Sequence, residues 1–489
     1  MFRSLLSAQY RPGLYLCSLA FFIYAAVLVY KYMHFGYCDW DLASFNQAMW
    51  SMRHGSIYMS LPGINFMGDH SHLISFLFLP LYFLAPHPLT LLISKVLFFV
   101  LSALMLYVMA HNRINARAAG VLTFLYIIFP ANIFGMLYQY NVENYAPVFL
   151  LAMWHYYEKG SRAGFLWSAL LACLIKENMP LVVFMFGIHA LFFKKEDKGF
   201  WTLVPMVLGA GTFLFLTGAL IPYFRGSHQH TFWVRYHQLG NTPGEVMAAL
   251  VNPAVWWKQL VTPLNARYVL DLFGPLLPLA LLSADALLMI LPIVLYHLLS
   301  LHGPEHTIFY HYGWTLTPFI FIAVVNSLVK IRDRITPVRF QWFLSAILVL
   351  GIIHTAAFYR HIYSRIDYHH DGKMAKRWEM VRLIPPQAGV VASFDFLAEL
   401  SSRPSLYAFY KVYSPLYQDP RQLHLSEISS GKPFTAGKDV TYVLIDFKDP
   451  WLIQAMEEDP QATAQRVKKF LGDFTPVKQE GSIILYRRR

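Results

Sequence analysis

With 56% hydrophobic and only 14% charged residues over 489 positions, the chain falls well short of the roughly 25% charge of soluble globular proteins and reads as an integral membrane protein. Its net charge of +12 comes from Lys and Arg clustered between apolar runs. That pattern sets topology through the positive-inside rule and does not mark a nucleic-acid partner. Cys17, Cys38 and Cys173 make no metal spacing, and the first and last lie in apolar runs, so no disulfide framework is implied.

The first apolar run, residues 13–33, is long enough to cross a bilayer, which takes about 20 residues. Arg3 and Arg11 precede it, so it reads as a signal anchor with a cytoplasmic N-terminus. A large outer loop, residues 34–88, carries Asp39, Asp41, Asp69, His70 and His72. Its apolar stretch 73–85 is expected to be an interfacial helix, because only then do Arg113 and Arg117 fall inside. Spans are expected at 89–110, 118–136, 145–157, 163–175 and 179–193. The polar breaks 139–144 and 176–178 then fall outside, and the basic clusters Lys159/Arg162 and Lys194/Lys195/Lys198 inside.

Residues 200–222 lead outward to a second large loop, 223–267. Further spans are expected at 270–282, 286–301, 313–329 and 340–358. The total of about eleven leaves the C-terminus outside. The expected fold is an α-helical polytopic membrane domain, residues 1–358, followed by a small α/β extracytoplasmic domain, residues 359–489. In the latter, 389–393, 440–446 and 482–486 read as strands and 461–470 as an amphipathic helix. No internal repeat stands out.

The segment Tyr37-Cys38-Asp39-Trp40-Asp41-Leu42 places two carboxylates at the mouth of the first span. Carboxylates there need water, a cation or a substrate nearby. Other polar residues gather on the same face. Asp69, His70 and His72 share loop one, Asn141 and Glu143 lie in one break, and Lys176 and Glu177 lie in the next. Arg225, His228, His230, Arg235 and Tyr236 belong to loop two, and His306, His311 and Tyr312 to a later turn. Together they suit sugar transfer from a polyprenyl phosphate. Asp41 or Asp39 would take the acceptor's proton. Arg235, Lys176, His311 and Tyr236 would hold the donor phosphate. Asp69, His70, Glu143, Asn141, Glu177 and Tyr312 would line the substrate and acceptor space.

Plainer readings stand beside these. Lys176-Glu177 is also a self-neutralising pair, Asp69 a helix cap, and Arg235-Tyr236 a headgroup anchor. Lys95 and His189, isolated within spans, read as snorkelling or locally satisfied. Asp69, His70 and His72 have only a weak metal-ligand spacing.

The run Tyr37-Cys38-Asp39-Trp40-Asp41-Leu42-Ala43-Ser44-Phe45-Asn46-Gln47-Ala48-Met49-Trp50 carries a resemblance. So do Gly68-Asp69-His70-Ser71, Lys176-Glu177-Asn178, Arg235-Tyr236-His237-Gln238-Leu239-Gly240, Pro243-Gly244-Glu245, His311-Tyr312, Leu400-Ser401-Ser402-Arg403-Pro404 and Tyr442-Val443-Leu444-Ile445-Asp446. Together they resemble a bacterial multi-pass family described as a predicted membrane protein with a domain of unknown function. That family is grouped with the GT-C class of membrane glycosyltransferases. The resemblance implies a polyprenyl-phosphate-linked sugar as donor, a lipid or envelope glycan as acceptor, and a place in the bacterial plasma membrane. The family's run has a single Asp that aligns with Asp41, which makes Asp41 the base and Asp39 an additional carboxylate. Asn178 departs from the family's usual acid. Because the class holds metal-dependent and metal-independent members, a divalent cation (Mg or Mn) stays open, with Asp39, Asp41 and His70 as the residues for it. Two other readings of the chain are a transporter or flippase for a lipid or anionic solute and a non-catalytic scaffold. The clustering of polar residues at one face, not at mid-span, speaks against transport.

Overall fold

The computed structural model describes residues 7–226, 235–240, 242–366, 372–413 and 437–489; Arg3, His228 and His230 lie outside them. Among the described residues, five helices are long and apolar enough to cross a bilayer: Ala8–Met33, Pro88–Arg113, Lys198–Arg225, His311–Arg332 and Pro337–Ala357. A sixth counts if Ala116–Ile128 and Pro130–Leu137, bent by 45°, are one span. The expected total of about eleven is larger because several apolar runs form shorter helices, Arg162–Cys173, Met179–Phe193 and Ala284–Leu299 among them. Stretch 73–85 forms the helix Ser75–Leu84, ten residues and too short to cross.

The bend at Phe129-Pro130 shows how the chain tolerates a break. Phe129 is extended, with φ −60° and ψ 132°, the conformation a following proline imposes. Each of the three carbonyls just before it finds a side-chain donor. Asn132 Nδ2 donates to Tyr126 O at 2.7 Å, the Tyr24 hydroxyl to Ile127 O at 2.6 Å, and Thr355 Oγ1 to Ile128 O at 3.0 Å. Backbone groups at membrane depth have no water to bond, so such replacement is what makes a broken helix tenable.

The far end of Pro130–Leu137 is capped by two buried lysines. Lys31 donates to Leu137 O, and Lys95 Nζ to Tyr138 O at 3.0 Å and Gln139 O at 2.9 Å. Cations suit the negative end of a helix dipole, and here they also satisfy its last carbonyls. Lys95 is therefore satisfied locally, deep in the bundle, and does not snorkel. His189 is likewise engaged, with Nδ1 2.8 Å from the Tyr157 hydroxyl.

After the last span, the helix Tyr359–Ile366 follows at once. Beyond it lies a five-stranded mixed sheet in the order Leu406–Ala408, Gly389–Ala392, Val440–Asp446, Ile483–Arg488, Phe474–Glu480. The first three strands are parallel and the last two pair antiparallel. Pro476 sits in the terminal strand, where its missing N–H costs no central ladder bond. The helix Pro460–Leu471 covers the segment read as amphipathic.

The sheet unit grips the loop that follows the first long helix. Asn46 Nδ2 donates to Ser401 Oγ at 2.8 Å and Ser402 Oγ at 3.0 Å, and Gln47 Nε2 to Arg403 O at 3.2 Å. Ser60 Oγ donates to Leu406 O at 3.0 Å and accepts from Leu406 N at 2.8 Å. The rings of Trp378 and Phe396 close on Phe35 at 4.8 and 5.6 Å.

Candidate active site

A Schellman turn delivers the acidic pair. The helix Arg11–Met33 ends with Phe35 N bonded to Tyr32 O at 3.1 Å and Gly36 N to Lys31 O at 2.9 Å. The left-handed position of this motif usually holds glycine; here it holds Phe35, at φ 55°. A non-glycine residue there costs about 1–3 kcal/mol. The buried Phe35 ring, packed on Trp378 and Phe396, offsets that cost. The turn throws Tyr37 to Asp39 back across the bundle top, and the helix Asp41–Arg53 starts immediately after.

Asp39 Oδ1 accepts from Trp40 N at 2.8 Å, and Oδ2 from the Tyr138 hydroxyl at 3.2 Å. The residue after Tyr138, Gln139, accepts through its side chain from Leu42 N at 2.9 Å. The lysine-capped end of Pro130–Leu137 thus fixes the acidic segment from the other side. Asp39 and Asp41 are half-buried. Burial raises the Asp39 carboxyl above its ordinary range, against the Trp40 N–H, the Tyr138 hydroxyl and the charge of Arg365. Asp41 is pushed up to about 7, first by burial and then by the charge of Asp39, with Lys176 opposing.

A second group lies alongside. Glu143 Oε2 is 3.4 Å from Lys176 Nζ and 3.2 Å from His311 Nε2, and Glu143 Oε1 accepts from Asn178 Nδ2 at 2.8 Å. Burial would raise this carboxyl, but Lys176, His311 and Asn178 hold it well below the usual range. The two breaks in the sequence therefore meet. Glu177 Oε1 lies 2.5 Å from His70 Nδ1, and Oε2 accepts from Ser71 N at 3.2 Å. His70 and Lys176 hold Glu177 low against burial. Arg225 closes this side by donating from Nε to Gly68 O at 2.7 Å and from Nη2 to Asp69 O at 3.1 Å. Asp69 adds its negative charge to that of Asp39 on Asp41.

Arg235 pairs with Glu305. The charge of Arg235 reaches Lys176, and the Tyr312 ring lies 4.3 Å from that of His311. Tyr236 stands beside Arg235, its hydroxyl pushed up by burial. Asn141 turns inward to cap its own segment, its Oδ1 accepting from Glu143 N at 3.1 Å. His306 is held apart between Asn265 and Ser300 O, 2.6 Å from each. His72 is buried against Phe45 and Phe66, and burial, then His70, push its imidazole down to about 3.

Among the described residues no group of three or more His, Cys, Asp and Glu side chains is placed to hold a metal ion. Asp39, Asp41 and His70 do not converge as such a set: His70 is held by Glu177, and Asp39 by Trp40 and Tyr138. Residues that sequence reasoning passed over include Tyr138, Glu305 and Arg365. Tyr138 directly precedes the polar break 139–144, which was the available signal. Asn178, named in the break 176–178, donates to Glu143.

The fold matches that of a solved structure. The crystal structure of ArnT from Cupriavidus metallidurans bound to undecaprenyl phosphate aligns at a TM-score of 0.52 and 12% identity, over 97% of each chain. This shows the GT-C type of fold. The oligosaccharyltransferase of Archaeoglobus fulgidus aligns at 0.45 and 13% identity, over 97% of this chain and 74% of that one. No curated protein matches by sequence. The family model described as Predicted membrane protein (DUF2079) matches residues 31–446, and the chain belongs to that family.

Proposed function

We propose that this protein is an inverting membrane glycosyltransferase of the bacterial plasma membrane. It moves a sugar from a polyprenyl-phosphate donor to a lipid or envelope glycan acceptor on the outer face. The N-terminus is cytoplasmic in this reading, and the sheet unit lies outside, over the mouth of the cleft. The observation that carries the reading is the half-buried Asp39–Asp41 pair, with Asp41 raised to about 7 and the charge of Lys176 acting on it.

A general base works best with a value near the operating pH. Asp41 meets that requirement, through burial first and the charge of Asp39 second. Asp41 takes the proton of the acceptor hydroxyl as its oxygen bonds to the anomeric carbon. The bond from that carbon to the phosphate oxygen breaks, and the polyprenyl phosphate leaves with the electron pair. One displacement inverts the anomeric centre. Lys176, His311, Arg235 and Tyr236 line the donor side of the cleft, with Lys176 and Arg235 already facing Glu143 and Glu305. Asp69, His70, Asn141, Glu143, Glu177 and Tyr312 shape the rest of the space. No step is routed through a metal. The fold shared with ArnT, whose crystal holds undecaprenyl phosphate, supports the choice of donor class.

The test is transfer from a polyprenyl-phosphate sugar by the full chain in nanodiscs. Activity lost in Asp41→Asn, with an unchanged unfolding temperature, bears the reading out. Activity equal to wild type in that variant refutes Asp41 as the base.

A further inference from the structure

The cations of the cleft are nearly all spent inside the protein. Lys176 is tied to Glu143, Arg235 to Glu305, His70 to Glu177 and Arg225 to two carbonyls; Lys31 and Lys95 cap a helix end. A cation already facing a buried carboxylate contributes little net positive charge to a ligand, because the pair is close to neutral. A leaving phosphate needs a donor that has not been neutralised, and a guanidinium suits it best by forking onto two oxygens.

Arg365 meets that description. Among the described residues it makes no ion pair. Its guanidinium lies 5.6 Å over the ring of Tyr310, which meets Tyr138 edge-on at 5.3 Å; Tyr138 in turn bonds Asp39. Arg365 is half-buried, and its charge falls on Asp39 across this aromatic step. It belongs to Tyr359–Ile366, the helix that follows the last span and packs on Pro130–Leu137. That helix exposes Tyr359 and Tyr363, the residue type that settles at the headgroup level of a bilayer. The His361 ring, stacked at 5.0 Å on Phe309, anchors it.

We infer that Arg365 is the residue that grips the phosphate of the lipid donor and sets it beside the Asp39–Asp41 pair. This rests on the transferase reading and adds a positioning residue to it. Tyr310 would hold the guanidinium plane, and Arg235 and Lys176 would act behind it as paired, structural cations.

The experiment is equilibrium binding of undecaprenyl phosphate to the full chain in nanodiscs. Wild type is compared with Arg365→Ala, Arg365→Lys and, as a same-helix control, Arg360→Ala. Inorganic phosphate is the competitor. Loss of a charged fork predicts about 10- to 100-fold weaker binding in Arg365→Ala, partial recovery in Arg365→Lys, none of this in Arg360→Ala, and no change in unfolding temperature. Wild-type affinity in Arg365→Ala overturns the assignment and leaves the transferase reading standing. If wild type binds no polyprenyl phosphate, both fall. Competition by inorganic phosphate at equal concentration overturns the lipid as the source of the anion. Should the alanine variant fail to fold, Arg365→Lys decides: weaker binding supports the fork, and unchanged binding overturns it.

Discussion

Asp41 and Glu143 are carboxylates in one cleft, and their surroundings treat them oppositely. Glu143 is enclosed and answered by an ammonium, an imidazole and an amide. Asp41 is half-open, beside a second carboxylate, and its nearest cation is already shared. The first arrangement keeps a charge fixed and holds two helix breaks together. The second leaves a carboxyl near neutrality, able to gain and lose a proton. The same functional group is held as a fixed charge in one place and near neutrality in the other, and the number of cations committed to it makes the difference.

The contrast can be broken most sharply at the base. Asp41→Asn should lower transfer by about 10²- to 10⁴-fold, the usual worth of a positioned base, with the unfolding temperature unmoved. The same measurements on Glu143→Ala should show the reverse emphasis. Removing one partner of a buried pair costs about 3–5 kcal/mol, so chemical unfolding should fall by that amount. Unchanged stability would make Glu143 a functional group and dissolve the distinction.

Asn178→Asp sharpens the comparison further. It replaces a donor to Glu143 with a like charge, and unfolding should report a loss of about 1–3 kcal/mol. A stabilised variant would mean that Lys176 has charge to spare. The gentlest test is pH. As a base, Asp41 must be ionised, so kcat/KM should rise with pH through about 7. Asp39→Asn removes the neighbouring charge and should move that midpoint down. Stability has the opposite slope. The folded value lies above the ordinary 3.8, so the contribution of Asp41 to folding is full below that value and is lost as pH rises through about 7.

Much of the fold was legible in the order of residues. Hydropathy located the apolar runs, and alternating basic clusters ordered them. The strands near 389–393 and 440–446 stood out as short apolar runs bounded by turn residues. The broken spans were harder to read. A hydropathy window averages across Pro130, and nothing local says that Asn132, Tyr24 and Thr355 will take the released carbonyls. The motif residues divide in a similar way. Asn46 and Gln47, adjacent to the acidic pair in sequence, bind Ser401, Ser402 and Arg403 of the sheet unit. Their part is to join two regions of the chain, which their sequence neighbourhood alone gives no means to tell.

By itself the sequence determined that this chain lives in a membrane and that Asp39 and Asp41 stand just behind the first apolar run. Each of these follows from local composition, because hydropathy and charge act on a segment wherever it ends up. Tertiary structure alone decided which charges face each other. It set Glu143 against Lys176 and His311, Glu177 against His70, and Arg235 against Glu305, and it left Arg365 without an ion pair among the described residues, beside Tyr310. Coulomb interactions depend on distance and burial, and both quantities come into being only when segments far apart in the chain are packed together.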